Sequence, residues 1–412
     1  MRKLTFLLAL CALLFSFAFV TPDWGFFGHR RINRMAIFTL PPEMIVFYKN
    51  NMEFLTEHAV DPDKRRYATK HEAVRHYMDL DKYGTPPYDN LPRTWTEALM
   101  KFTQLFIVNN KNDTIVLLGG AASLYDVANK TINSKNVPNF VIDQREYHRF
   151  YTDNILPQYY EDAMIVSCDS IRALMNRQGV ILNCTSAFVI DTFSQHGILP
   201  YNLQMYQRKL TDAFRNKDAK RILQFSADIG HYIGDGHVPL HTTSNYNGQL
   251  TNQNGIHGFW ESRIPELFAD DTYDFFVGKA EYFDNPNDYY WNIVLTSHTY
   301  VDSVLLIEKS LSETFPPDKQ FCFDERLEQT VRTQCREYAA AYQKRLAGQV
   351  EQRMREAIRA VGSAWYTAWV DAGQPDLSNL SILPLTDAEK KEREDEEASF
   401  RKGVIKGRAH EN

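Results

Sequence analysis

Apolar residues recur at steps of three and four along most of the chain beyond residue 24, a period that predicts helices. The pattern runs through Ile32 to Phe38, Pro42 to Phe54 and Trp95 to Val108. It returns in Tyr201 to Phe225, Ser226 to Gly234 and the long stretch Glu325 to Val370. Pro41-Pro42, Pro86-Pro87, Pro316-Pro317 and the Asn-Gly pairs at 247–248 and 254–255 punctuate it. Two-residue alternation is scarce. Ile115 to Leu118 and Val180 to Leu182 are short, and each fits a buried helix as well as a strand. The expectation is an all-α multi-helix bundle. With no internal repeat and no Gly/Ser linker, one domain with elaborate loops is preferred over two.

The two ends depart from this pattern. Arg2 and Lys3 precede an apolar run from Leu4 to Val20, with Ser16-Phe17-Ala18 as a small-residue cleavage pattern. This reads as a signal for export, occupying 1–23 with cleavage at 18 or 23; a single membrane anchor is the alternative. From 386 to 412 charges dominate, as in Glu389 to Glu397, which reads as a solvated helix or a disordered tail. Beyond the apolar run lie Cys168, Cys184, Cys322 and Cys335. In an exported chain they permit two disulfides, with 168–184 and 322–335 the simplest of three pairings. A formal net charge of −6 argues against tracking polyanions by bulk electrostatics.

The chemistry concentrates in His231-Tyr-Ile-Gly-Asp235-Gly-His237-Val-Pro-Leu-His241 and His257-Gly-Phe-Trp-Glu261. His231 and Asp235, four apart, share one helix face, and His257 and Glu261 repeat that spacing. Gly234 and Gly236 each cost a helix about 1 kcal/mol relative to Ala, which close backbone approach at a crowded site would explain. Pro239 ends or kinks the helix and re-aims His241. Singly, each pair reads as an ordinary surface pair. Three histidines and two carboxylates within a short stretch, in a chain with only 12 His, point instead to a hydrolytic metal site. His237 lies off the ligand face and reads as packing.

These segments resemble the signature of the zinc-dependent phospholipases C and the single-strand-specific zinc nucleases, one helical superfamily. His231, Asp235 and His241 match its core, and His257 and Glu261 its following pair. Trp24-Gly-Phe-Phe-Gly-His29 resembles the start of the mature chain in that family, and Asp61 with His76 its Asp-to-His pair. The likeness covers 24–81 and 226–268. It implies a trinuclear zinc site in a cleft of a 24–385 hydrolase domain, with an insertion at about 82–225. One zinc would take Asp61, His76, His231 and a share of Asp235. A second would take Trp24, His29 and the rest of Asp235, and the third His241, His257 and Glu261. Asp61 would orient the attacking water and Lys64, three residues on, would bind phosphate; Asp63 competes with Asp61. Trp24 offers a free amine only if cleavage follows Asp23.

The resemblance implies a secreted or periplasmic phosphodiesterase acting on a phospholipid headgroup or on single-stranded nucleic acid. Glu261 and the short His241-to-His257 spacing lean to the phospholipase C-like branch, which is favoured by a small margin. Lys64 and the Trp24-to-His29 spacing lean to the nuclease branch. The first carries an expectation of peripheral membrane contact, and no stable protein partner is inferred. An exported zinc-binding scaffold without turnover is the third possibility. No G-x-S-x-G, P-loop or G-x-G-x-x-G occurs, which leaves serine hydrolase, triphosphatase and dinucleotide-binding readings without support.

Overall fold

The structure, a computed structural model, describes residues 26–161, 164–176, 183–326, 329–380, 384–406 and 408. Trp24, the export segment and Val180 to Leu182 lie outside the described residues. The chain divides into two compact units, Tyr77–Tyr201 and the remainder on either side of it.

The larger unit is helical around three long elements. Helix α1, Phe26–Ala36, buries Gly28, His29, Ile32, Asn33 and Ala36, a stripe at helical spacing. Helix α2, Asp61–Arg65, is short and begins with Asp61-Pro62. Helix α3, Ala219–Gly236, is capped by the Asp218 side chain accepting from the Arg221 N–H at 3.1 Å. Every residue from Ser226 to Gly236 is buried, so this half of the helix is enclosed on all sides. The continuous helical period of Tyr201 to Gly234 is broken at Lys217, which takes a left-handed backbone, φ 52°. Helix α4, Gln349–Asp371, is the longest.

Small residues let α1 lie close to both partners. A Cβ at Gly230 of α3 would fall 2.0 Å from Asn33 Oδ1, and one at Gly362 of α4 3.3 Å from the Ala36 carbonyl and 1.9 Å from Thr39 Oγ1 in the turn that follows α1. The Asn33 amide donates to the Ala227 carbonyl at 3.1 Å across that approach, which satisfies its buried donor. Tyr48 stacks on Trp365 and meets Ser226 Oγ at 2.9 Å, and Trp365 Nε1 donates to the Ser226 carbonyl. Phe259, Trp260, Tyr338 and Tyr342 anchor a second buried cluster.

The all-α expectation is overturned. Among the described residues there are nine strands in three antiparallel sheets, so the protein is mixed α/β. Seven strands belong to the Tyr77–Tyr201 unit. Strands β1 (Gln104–Val108), β2 (Thr114–Leu118), β6 (Met164–Val166) and β7 (Ser186–Ile190) form a sheet in the order β2-β1-β7-β6. Strands β3 (Ser123–Asp126), β4 (Thr131–Ser134) and β5 (Val141–Asp143) form a second. The physical reason lies in β1. Leu105 and Ile107 are buried on one face, two apart, and Phe106 stacks on Phe188 of β7 on the other. Preceded by the helix Trp95–Phe102, that run also satisfies a helical period, because short apolar runs do not distinguish the two. In the larger unit the stretch from Glu325 is likewise not all helix. Strands β8 (Phe321–Arg326) and β9 (Gln329–Gln334) pair as a hairpin before the helix Arg336–Arg345.

Disulfides join Cys168 to Cys184 and Cys322 to Cys335, the simplest pairing. Among the described residues no helix is long and apolar enough to cross a membrane. The charged tail forms helix α5, Asp387–Arg401, started by a Thr386/Glu389 capping box.

Candidate metal centre

Asp235 sits on the last turn of α3, 1 % exposed, with imidazoles on both sides of its carboxylate. Its Oδ2 is 3.0 Å from His76 Nδ1 and 3.3 Å from His231 Nε2. Its Oδ1 is 3.4 Å from His29 Nε2 and 3.6 Å from His241 Nε2. Glu261 closes the far side, its Oε1 3.5 Å from His29 Nε2 and its Oε2 3.5 Å from His241 Nε2 and 2.8 Å from His257 Nε2. Glu261 lies in a π-helical turn, Phe259–Arg263, that interrupts the helix from Ile256 to Thr272. Wider turns of this kind recur at functional sites.

Three buried groups could each hold a metal ion: His29, His231 and Asp235; Asp63, His76 and His231; His241, His257 and Glu261. Donor separations test the fit. Ions bound at about 2.0–2.2 Å in tetrahedral geometry have ligands about 3.3–3.6 Å apart. The pairs above cluster at that edge length, and His76 and His231 lie 3.6 and 3.7 Å from Asp63 Oδ1. Apart from His257 to Glu261 at 2.8 Å and His76 to Asp235 at 3.0 Å, such spacings are too long for good hydrogen bonds. Asp235 Oδ2 and His29 Nδ1 are buried without a partner of hydrogen-bonding geometry among the described residues.

The outer nitrogens are tied down. His231 Nδ1 faces the Ala59 carbonyl at 2.9 Å, His241 Nδ1 the His76 carbonyl at 2.6 Å, and His257 Nδ1 the Tyr246 carbonyl at 3.1 Å. An N–H at each Nδ1 puts the lone pair on Nε2, on the side of the carboxylates, the arrangement typical of ligating histidines. His76 is turned the other way. Its Nδ1 faces Asp235 and its Nε2 lies 3.7 Å from Glu72 Oε1. Glu72 is itself held by Arg75 at 2.7 Å and by the Tyr232 hydroxyl. Gly234 makes room for the first group, since a Cβ there would fall 2.8 Å from His29 Nδ1.

The charges conflict without a cation. Burial works to raise the Asp235 carboxyl, but His231, His241 and His76 outweigh it and hold it well below the usual range. Burial, then the charge on His29, pushes His231 down to about 3. Burial opposes protonation of His29, yet Glu261, Asp235 and Asp63 carry it up to about 9. Stacked rings 3.9 Å apart are thus driven in opposite directions. Divalent ions would let all the imidazoles stay neutral beside ionised carboxylates.

Of the residues expected at the site, His29, His76, His231, Asp235, His241, His257 and Glu261 come together, and Trp24 lies outside the described residues. Asp61 does not join them. Its Oδ2 meets His58 Nδ1 at 2.5 Å, and it lines a separate polar cavity of about 420 Å3 with Arg65, Asp228 and Glu396. Asp63 stands where Asp61 was expected, because residues two apart on α2 point about 200° apart. Lys64 also faces elsewhere, 3.9 Å from Glu397 of α5. Moving the ligand from Asp61 to Asp63 moves the basic residue three positions on from Lys64 to Arg66. The buried Arg66 guanidinium has Nη1 3.4 Å from Asp63 Oδ1. Glu72 and the carbonyls of Ala59 and Tyr246 carried no sequence signal. His237 binds the Ile233 carbonyl through Nδ1 at 2.7 Å, off the ligand face.

No protein-family model matches the chain, and no curated protein matches it at a significant level.

Proposed function

We propose that this protein is an exported zinc-dependent hydrolase of phosphodiesters. The observation that carries the reading is the gathering of five inward-facing imidazoles with Asp63, Asp235 and Glu261, four of the imidazoles around Asp235 itself, at the spacing of coordination spheres. Imidazole with carboxylate suits zinc, and two disulfides suit an oxidising compartment outside the cytosol. Zinc ions bound there supply Lewis acidity, a clamp for phosphoryl oxygens and a water of lowered pKa.

The chain's own groups do the rest. Asp235 would turn Oδ2 to the side of His76 and His231 and Oδ1 to the side of His29 and His241, so it could serve ions on both sides. Glu72 orients His76 from behind. Arg66, three residues from Asp63, presents a fixed cation to a phosphoryl oxygen, the role in which a guanidinium fork excels. The likeness to the phospholipase C and zinc nuclease signature supports phosphodiesters as the substrate class. One feature favours a nucleotide over a lipid headgroup: the half-buried Tyr246 ring lies 6.3 Å from His257 and offers a face for base stacking.

Metal analysis of the purified protein should return close to three zinc ions, and none would sink the reading. Chelator-sensitive release of nucleotides from single-stranded DNA, compared with phosphocholine release from vesicles, separates the branches. Zinc retained with activity on neither would leave a non-catalytic scaffold.

A further inference from the structure

The tail beyond α5 runs from the Asp63 side of the metal centre to the segment bearing His241 and His257. Helix α5 is fastened first, by Glu389 to Lys220 at 2.5 Å and by Phe400 edge-on to Tyr67 at 5.1 Å. The chain then binds both flanks. The Lys406 N–H donates to the Arg66 carbonyl at 3.0 Å, and Lys406 Nζ donates to the Ala68 carbonyl at 2.8 Å. Arg66 Nη2 donates to the Arg408 carbonyl at 2.6 Å. On the far side the Arg408 guanidinium lies 3.7 Å over the Tyr246 ring and donates to the Thr243 carbonyl at 3.1 Å. Thr243 is two residues past His241, and the Tyr246 carbonyl is the one that fixes His257.

Two of these contacts take positions a substrate would need. A carbonyl oxygen occupies a donor of Arg66, where a phosphoryl oxygen would be received. A planar guanidinium covers the aromatic face on which a base would stack. Arg66 Nε is meanwhile buried with no hydrogen-bond partner among the described residues, so the guanidinium is only partly satisfied by what now holds it. The least buried ligands are Asp63, 16 % exposed, and Glu261, 10 % exposed. One of them is therefore on the edge where the tail begins its crossing. Resting on the phosphodiesterase reading, we propose that Lys406 and Arg408 form a pseudosubstrate strap: the tail holds the phosphate-binding arginine and the stacking face until it is displaced or cut away.

The test is calorimetric titration of inorganic phosphate into three zinc-loaded proteins: the full chain, full-length Arg408→Ala, and a chain ending at Arg401. Zinc content should be equal in all three. The strap predicts at least tenfold tighter phosphate binding by the shortened chain, an intermediate gain for Arg408→Ala, and faster nitration of Tyr246 in both variants. Should the shortened chain fail to fold, the point variant decides. Equal affinities and equal nitration overturn the strap while leaving the phosphate site intact. Weaker binding on shortening also overturns it and makes Arg408 a substrate ligand. Zinc bound but phosphate bound by none of the three overturns the strap together with the substrate class.

Discussion

Replacing Asp235 by Asn keeps the size of the side chain and removes its charge at the one position common to both sides of the centre. Four imidazole nitrogens lie 3.0–3.6 Å from its two oxygens, and the residue is 1 % exposed, so water cannot substitute for it. Altering a mere outer partner of a ligand weakens metal binding by about 10–100-fold. Losing an anionic ligand should reach at least the upper end, about 2.7 kcal/mol, for each of two ions. The group of His241, His257 and Glu261 has Glu261 as its own carboxylate and meets Asp235 only through His241, at 3.6 Å, the longest of the four separations, so it should keep its ion. Equilibrium dialysis against a weak chelator, followed by elemental analysis, should therefore show stoichiometry falling from three to one. Three ions retained at near-native affinity would refute the bridging role. Loss of all three with the fold intact would show that the third group is not independent.

Asp63→Asn and Asp61→Asn make the same charge change two residues apart; only the first should lower zinc content, and equal loss from both would refute the assignment. Gly234→Ala gains helix propensity but drives a Cβ into His29, so it should destabilise by about 1–3 kcal/mol and release an ion, as read by denaturant midpoint and elemental analysis. Burial, opposed by Arg65 and reinforced by Asp61, Glu392 and Asp228, raises Glu396 of α5 to about 7. Its folded value lies above the ordinary one near 4.5, so its contribution to docking α5 is complete below that value and is lost as pH rises through 7. Hydrogen exchange in α5 should quicken from pH 6 to 8, and Glu396→Gln should abolish that change.

The chemistry was legible because most of its parts lie on two compact motifs. From His231 to Glu261 the spacing alone places side chains on shared faces. Gly234 also left a readable trace, since a buried helix keeps such a residue only where another backbone or ring approaches, whereas Gly230, which makes the same room for Asn33, went unread. The Asp61/Asp63 choice was not legible. Both carboxylates begin a five-residue helix, and the decision rests on His58 holding one while His76 and His231 face the other. The strands of the Tyr77–Tyr201 unit were hidden for a different reason. Strand β4, Thr-Ile-Asn-Ser, buries only Ile132, and β5, Val-Ile-Asp, only Ile142, so neither carries enough alternation to register. Backbone pairing holds them, and backbone pairing is silent in sequence.

His76 Nδ1 and His231 Nε2 lie 3.1 Å apart in space and 155 residues apart in the chain, with the whole Tyr77–Tyr201 unit between them. Ions held by these groups would therefore be cross-links as well as cofactors. Closing a loop of that length by one link removes about 5 kcal/mol of entropy from the unfolded chain, more than either short disulfide loop can. The Asp63, His76 and His231 group and the His29, His231 and Asp235 group each draw on both flanks, whereas His241, His257 and Glu261 all come from the second. The emerging chain cannot assemble either of the two groups that use His231 until His231 has followed the first flank by an entire folded excursion, so metal capture there would mark the joining of the two flanks.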